Sequence, residues 1–138
     1  APYIRQFENY IGILAGIPPE SCEQSGTCSV QCVAEADGRA YPCDFYAMDG
    51  YCLGNYNENR IEEFFENETA KQFVRESLKH DEECRQCRWF QLCRNGCRRH
   101  RIRDDQTGTY RNYFCGGYRM FFEKCAPRMK EIAGYLRK

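Results

Sequence analysis

Three things are missing from this 138-residue sequence. It has no net charge, since twenty Lys and Arg face twenty Asp and Glu. Nothing in that balance points to nucleic acid or to a membrane surface. It has no apolar run near the ~20 residues that a membrane-spanning helix requires. It also opens Ala1-Pro2, with no Met and no signal-peptide pattern. The expectation is a cytoplasmic fragment of a longer protein, with no nucleic acid and no membrane as partners.

What the sequence does have is cysteine and aromatic side chains: eleven Cys, ten Tyr, nine Phe and one Trp. A chain of this length buries roughly 68% of its unfolded surface, and the aromatics supply a core. Five of the cysteines fall between Cys84 and Cys115, spaced C-x2-C-x5-C-x3-C-x17-C. The count is odd, the chain is larger than most disulfide mini-proteins, and no secretion signal is present, all of which argue against a disulfide framework. A C-x2-C pair also places two sulfurs around one ion or cluster more naturally than it bridges distant segments. Metal or cluster ligation is the expected occupation of these thiols.

The expected fold class is α+β: a small cluster-organised domain with a β-hairpin near the N-terminal cysteines, flanking helices and a long C-terminal helix. We expect a single domain over 1–138. Its parts are a leading helix and linker (1–21), a first cysteine block with the hairpin (22–56), a helical spacer (57–83), a second cysteine block (84–115) and the C-terminal helix (116–138). In the first helix Ile4, Phe7, Ile11 and Leu14 recur at helical spacing, and Gly16, Pro18 and Pro19 stop it. Asp37-Gly38 predicts a hairpin over about 29–46 with both turn residues at positive φ. Cys28 would lie near its start and Cys43 near its end, with Cys22 folding in from the preceding loop. Cys32, expected mid-strand, and Cys52 read as small buried hydrophobes.

Further on, Asn59 with Glu62 makes a capping box. Ile61, Phe64 and Phe65 form one apolar face, and Phe73, Val74 and Leu78 another. Asn67-Glu68-Thr69 is formally a glycosylation sequon but reads as surface helix or turn. Trp89, Phe90 and Leu92 give apolar cover to the thiols. Arg94, Arg98, Arg99, Arg101 and Arg103 are expected to offset the negative charge of a thiolate-bound centre. Residues 103–109 read as an exposed loop. Tyr118, Phe121, Phe122, Cys125, Met129, Ile132, Ala133 and Leu136 keep helical spacing to the end, with a kink at Pro127.

Zinc and iron–sulfur clusters both accept four cysteines. Zinc sites commonly use two C-x2-C pairs. Here there is one such pair, and the other gaps are long and irregular, which suits the wider 4Fe–4S cube. Spacing does not say which four cysteines share a centre.

The blocks Cys22-x5-Cys28-x9-Gly38-x4-Cys43 and Cys84-x2-Cys87-x5-Cys93-x3-Cys97-x17-Cys115 resemble the SPASM domain of radical SAM enzymes. With Pro42–Tyr46 (PCDFY), Leu53–Asn55 (LGN) and Cys87–Arg101 (CRWFQLCRNGCRRHR), the resemblance narrows to a C-terminal fragment of an anaerobic sulfatase-maturating enzyme. It implies two auxiliary 4Fe–4S clusters, one held by Cys22, Cys28, Cys43 and Cys97, the other by Cys84, Cys87, Cys93 and Cys115. It implies electron transfer and substrate docking during oxidation of a Cys or Ser of a sulfatase polypeptide to formylglycine, with Asp44 as proton acceptor, in an anaerobic prokaryote. The radical SAM signature C-x3-C-x2-C is absent: Cys28-x3-Cys32 is followed by Glu35, and Cys93-x3-Cys97 by His100. S-adenosylmethionine therefore belongs to a barrel domain in cis, and this stretch alone is not expected to turn over. The alternatives are a zinc-stabilised protein-interaction module without redox role, or a SPASM domain of another peptide-modifying enzyme. Zinc is also expected to enter the thiolate sites of protein isolated in air.

Overall fold

The computed structural model describes residues 2–136. In chain order the elements are α1 (Arg5–Ala15), α2 (Cys22–Ser25), β1 (Val33–Ala34), β2 (Arg39–Tyr41), β3 (Gly54–Asn55), α3 (Ile61–Glu66), α4 (Glu68–Ser77), α5 (Glu82–Arg85), α6 (Phe90–Cys93), β4 (Arg101–Arg103), β5 (Tyr110–Asn112) and α7 (Cys115–Leu136). The α+β class and the long C-terminal helix are as expected. The chain divides into two compact units: residues up to Gly26 with those from His80 onward, and Thr27–Lys79. Among the described residues no helix is long and apolar enough to cross a membrane.

In the first unit α1 lies along α7. Gly16 ends α1 in the left-handed region at φ 89°. Its N–H and that of Ile17 bond to Ile13 O and Gly12 O, the paired closure that satisfies a helix's last carbonyls. The buried stripe is Tyr10 and Ile13, with Ile11 and Leu14 partly covered, while Ile4 and Phe7 are exposed. The expected face is thus rotated: Tyr10 packs edge-on against Phe122 at 5.0 Å and its hydroxyl pairs with Gln6. Opposite it, Phe122, Ala126, Met129 and Ala133 are buried at four-, three- and four-residue steps. Cys125 packs at the edge of this core, as expected. The helix continues through Pro127, which sits on its exposed side.

The exposed 103–109 segment closes a second hairpin that the sequence reading did not anticipate. Here β4 and β5 pair antiparallel, with Arg101 opposite Asn112 and Ile102 opposite Arg111. Asp104 Oδ1 accepts from the amides of Gln106 and Thr107, tightening the turn.

In the second unit β1, β2 and β3 form an antiparallel sheet. The Asp37-Gly38 turn exists, but only Gly38 has positive φ, at 84°. Gly38 N–H bonds to Glu35 O, and Glu35 N–H to Arg39 O. That is the longer hairpin loop ending in a left-handed residue, and not the two-residue turn with both residues left-handed. Asp37 Oδ1 instead accepts from Arg39 N–H. The paired strands are also shorter than expected, so Cys28, Cys32 and Cys43 all lie outside them. Cys32 stands just before β1 with φ 52° and packs against the core of Ala40, Leu53, Phe64 and Ala70.

The helical spacer is two helices. The cap of α3 is one residue later than expected, with Glu63 Oε2 accepting from Arg60 N–H. Phe64 is fully buried, whereas Ile61, Phe65 and Leu78 are exposed. Asn67 caps α4: its Oδ1 accepts from Thr69 N–H and its amide donates to Leu53 O. Such a cap stabilises by ~1 kcal/mol, which accounts for an asparagine at this position without glycosylation.

Candidate metal centre

None of the eleven cysteines is joined in a disulfide. Cys84 lies in α5, Cys87 in the turn after it, Cys93 at the end of α6 and Cys115 at the start of α7. These four line one recess of about 320 Å³ of atom-free space, part of it open to solvent, with Trp89, Phe90, Asn95, Tyr118, Arg119 and Phe122 completing its walls. Cys93 and Cys115 are 22 residues apart in sequence. The β4–β5 hairpin returns the chain so that Cys115 meets the others.

Between Cys93 and Cys97 the backbone makes an unusual turn. Arg94, Asn95 and Gly96 have φ of 44°, 68° and 59°, three left-handed residues in succession, which costs strain at non-glycine positions. A Cβ on Gly96 would fall 2.4 Å from Asn112 Nδ2, so this close approach requires glycine. Asn95, 1% exposed, holds the turn. Its Oδ1 accepts from Asn112 N–H at 2.8 Å, and its Nδ2 donates to Tyr110 O at 2.8 Å and faces His80 Nδ1 at 3.3 Å. Cys84 Sγ lies 3.7 Å from the same Oδ1. The reversal sends Cys93 into the recess and Cys97 away to where the charges of Cys22 and Glu23 act on it.

Burial pushes the Cys84 and Cys93 thiols up to about 11, with neighbouring Cys115 adding to the effect at both. Cys97 is also raised, first by burial. Burial lowers His80 to about 4, and the charge of Arg101 adds to this. At Cys84 and Cys93 a bound cationic group must therefore displace the proton that burial favours. Trp89 Nε1–H is buried without an acceptor, an orphan donor beside the same recess. Four sulfurs, apolar walls and an unpartnered N–H fit a sulfur-rich, sulfur-ligated group. Single-ion geometry is not found: tetrahedral zinc holds sulfurs ~3.8 Å apart, from Zn–S bonds of ~2.3 Å. Among the described residues no group of three or more His, Cys, Asp or Glu is placed to hold one metal ion.

The other predicted ligands are divided between the units. Cys22 begins α2 and is exposed, and Cys97 precedes a short helical turn; both belong to the first unit. Cys28 and Cys43 belong to the second. Cys28 N–H is held by Ser77 Oγ at 3.0 Å. Cys43 Sγ lies 3.1 Å from Asp44 Oδ1, which also accepts from Phe45 N–H. Cys52 Sγ turns to Gly54 O.

The arginine expectation holds in part: the charge of Arg101 acts to lower the Cys93 and Cys97 thiols against the larger effect of burial. Arg101 donates to the carbonyl oxygens of Asn95, Gly96 and Gly26, Arg103 pairs with Asp105, and Arg94 Nε donates to Gln91 O. The guanidinium groups at the recess are Arg119, in its wall, and Arg111, whose Nη2 lies 3.9 Å from Cys115 Sγ. Sequence reasoning missed Arg111, Arg119 and Asn95. Asn95-Gly96 alone carried a signal, as a pair that tolerates left-handed backbone.

Residues 22–88 match the SPASM family, an iron–sulfur cluster-binding domain. Cys93, Cys97 and Cys115 lie beyond the matched residues, but similarity to longer proteins includes most of the chain. A "Cysteine-type anaerobic sulfatase-maturating enzyme" of Clostridium novyi is 42% identical over 94% of this chain, and one of Clostridium perfringens 39% over 97%. A "Serine-type anaerobic sulfatase-maturating enzyme" of Bacteroides thetaiotaomicron is 27% identical over 92%. Among solved structures, "Native anSMEcpe with bound AdoMet and Kp18Cys peptide" superposes with a TM-score of 0.87 at 41% identity, over 96% of this chain and 36% of that one. The chain spans only about a third of these relatives: 35%, 36% and 31% of the three enzymes.

Proposed function

We propose that this SPASM domain holds two 4Fe–4S clusters and serves electron transfer and substrate docking in a radical SAM maturase that oxidises a sulfatase residue to formylglycine. The observation that carries the reading is the convergence of Cys84, Cys87, Cys93 and Cys115 on one apolar-walled recess within a chain 42% identical to a named maturase. In this reading those four thiolates hold one cluster, and Cys22, Cys28, Cys43 and Cys97 hold the other. The radical SAM barrel lies in cis and binds S-adenosylmethionine. The higher identity to the two Cysteine-type relatives than to the Serine-type one favours a cysteinyl substrate.

A 4Fe–4S cluster supplies a one-electron acceptor whose potential the surrounding protein tunes. The chain's own residues do the rest. Apolar Trp89, Phe90, Tyr118 and Phe122 limit water at the thiolates of Cys84, Cys87, Cys93 and Cys115. Asp44 is the proton acceptor: its exposed carboxylate stands beside Cys43, both of its bonds fall on Oδ1, and Oδ2 is left for a proton.

Two measurements test this. Protein prepared without oxygen should contain about eight irons and eight acid-labile sulfides per chain, as two cubanes require. About two zincs without sulfide, persisting after anaerobic reconstitution, would establish a structural zinc module instead. Asp44→Asn should keep full iron content here, yet lower formylglycine formation ~10²–10⁴-fold when placed in a complete maturase, the usual contribution of a general base. Unchanged turnover would remove Asp44 from the chemistry.

A further inference from the structure

Beside the recess a carboxylate and two guanidinium groups form a chain of charges that ends on a sulfur. Arg111 Nη2 lies 3.9 Å from Cys115 Sγ, and the same nitrogen lies 2.9 Å from Glu83 Oε2. That carboxylate oxygen is also 3.8 Å from Nη2 of Arg119, a residue of the recess wall. Arg111 is not free to wander. It is the middle residue of β5, opposite Ile102, and both neighbours are pinned by the buried Asn95 carboxamide, through Tyr110 O and Asn112 N–H. The side chain at position 111 is therefore delivered to Cys115 by the backbone.

We propose that the Glu83–Arg111 pair sets the reduction potential of the centre held by Cys84, Cys87, Cys93 and Cys115. The inference rests on the cluster reading above. Reduction adds one negative charge to such a centre. A cation donating a hydrogen bond to a ligand sulfur stabilises the reduced form and raises the potential. The carboxylate on the far side of the guanidinium opposes this by partly neutralising it. Arg111 and Glu83 act as positioning residues of opposite sign: Arg111 touches a ligand sulfur, Glu83 touches Arg111, and neither holds iron. Their side chains are 41% and 63% exposed, so both effects weaken as salt rises.

The test is a redox titration of the reconstituted protein, followed by EPR, with iron and sulfide counted first in every variant. Arg111→Gln should shift the oxidised-to-reduced ratio about tenfold towards oxidised at a given potential, ~59 mV lower for a one-electron couple. Glu83→Gln should move the same centre upward, and Arg111→Lys should restore most of the wild-type value. Iron content should be unchanged in all three. Both neutralising variants moving the potential in one direction, or neither moving it, would overturn the proposal. So would loss of iron in Arg111→Gln, because the arginine would then be part of the scaffold. Failure of the underlying reading is told apart earlier, since wild-type protein would then carry zinc and no sulfide.

Discussion

Cys84→Ala and Cys87→Ala should each lower iron content by about half, while Cys32→Ala and Cys125→Ala leave it whole. The first two residues line the recess, and each substitution removes one of the four sulfurs that the proposed cluster requires. Cys32 and Cys125 have different surroundings. Cys32 packs against Ala40, Leu53, Phe64 and Ala70, and Cys125 packs beside Phe122 and Met129, where a thiol is a small apolar filler. Anaerobic preparation, then iron and sulfide assay, decides the matter. Equal iron loss in Cys32→Ala would sink the ligand set. Retention of all iron in Cys84→Ala would remove the recess from the account.

Phe122→Ala should destabilise the cluster-free chain by ~3–5 kcal/mol, the range for truncating a buried aromatic. The total stability of a domain is ~5–15 kcal/mol. Phe122 is fully buried. Its ring meets Tyr10 edge-on, stacks near Tyr118 at 6.0 Å and lies 5.8 Å from Trp89, so truncation opens a cavity and removes several aromatic pairs of ~0.5–1.5 kcal/mol each. The matched control is Phe65→Ala. Phe65 is 48% exposed, and its loss should cost no more than ~0.5 kcal/mol. Urea midpoints at unchanged slope measure both. Phe122→Leu keeps most of the volume, giving a folded variant with a smaller loss should the alanine prove too severe. A Phe122→Ala loss below ~1 kcal/mol would mean the α1–α7 packing is not the main support of this unit.

Phe122 also explains why the fold and the candidate site stand or fall together. One face of its ring is core to α1 and α7, and another part lines the cysteine recess. Leu92, Trp89 and Cys93 of the Cys-rich segment pack into the same cluster as Tyr10, Ile13 and Phe122, so the helices behind the segment help hold its shape.

Local signals in the sequence were strong enough to determine much of this. Cysteine spacing marked the candidate thiolate centre, because closely spaced thiols have few other uses. Gly16 ended α1 and Asp37-Gly38 made a hairpin turn, since each depends on backbone preferences of the residues themselves. Cys125 fell on the apolar face of α7, because a 3.6-residue period is visible in the order of residues alone.

Tertiary structure decided the rest. Ile4, Phe7, Ile61 and Phe65 obey helical periodicity and are still exposed, because periodicity names a face and only the partner element chooses which side of it to cover. The turn at Arg94-Asn95-Gly96 and the β4–β5 hairpin bring Cys115 to Cys84, Cys87 and Cys93 through bonds from Asn95 to Tyr110 and Asn112. No short window of sequence contains both ends of those bonds. Arg111, outside the crowded group at 94–103, likewise comes within 3.9 Å of Cys115 Sγ because strand register, and not proximity in sequence, delivers it there, while Arg101 of that group acts on Cys93 and Cys97 through its charge.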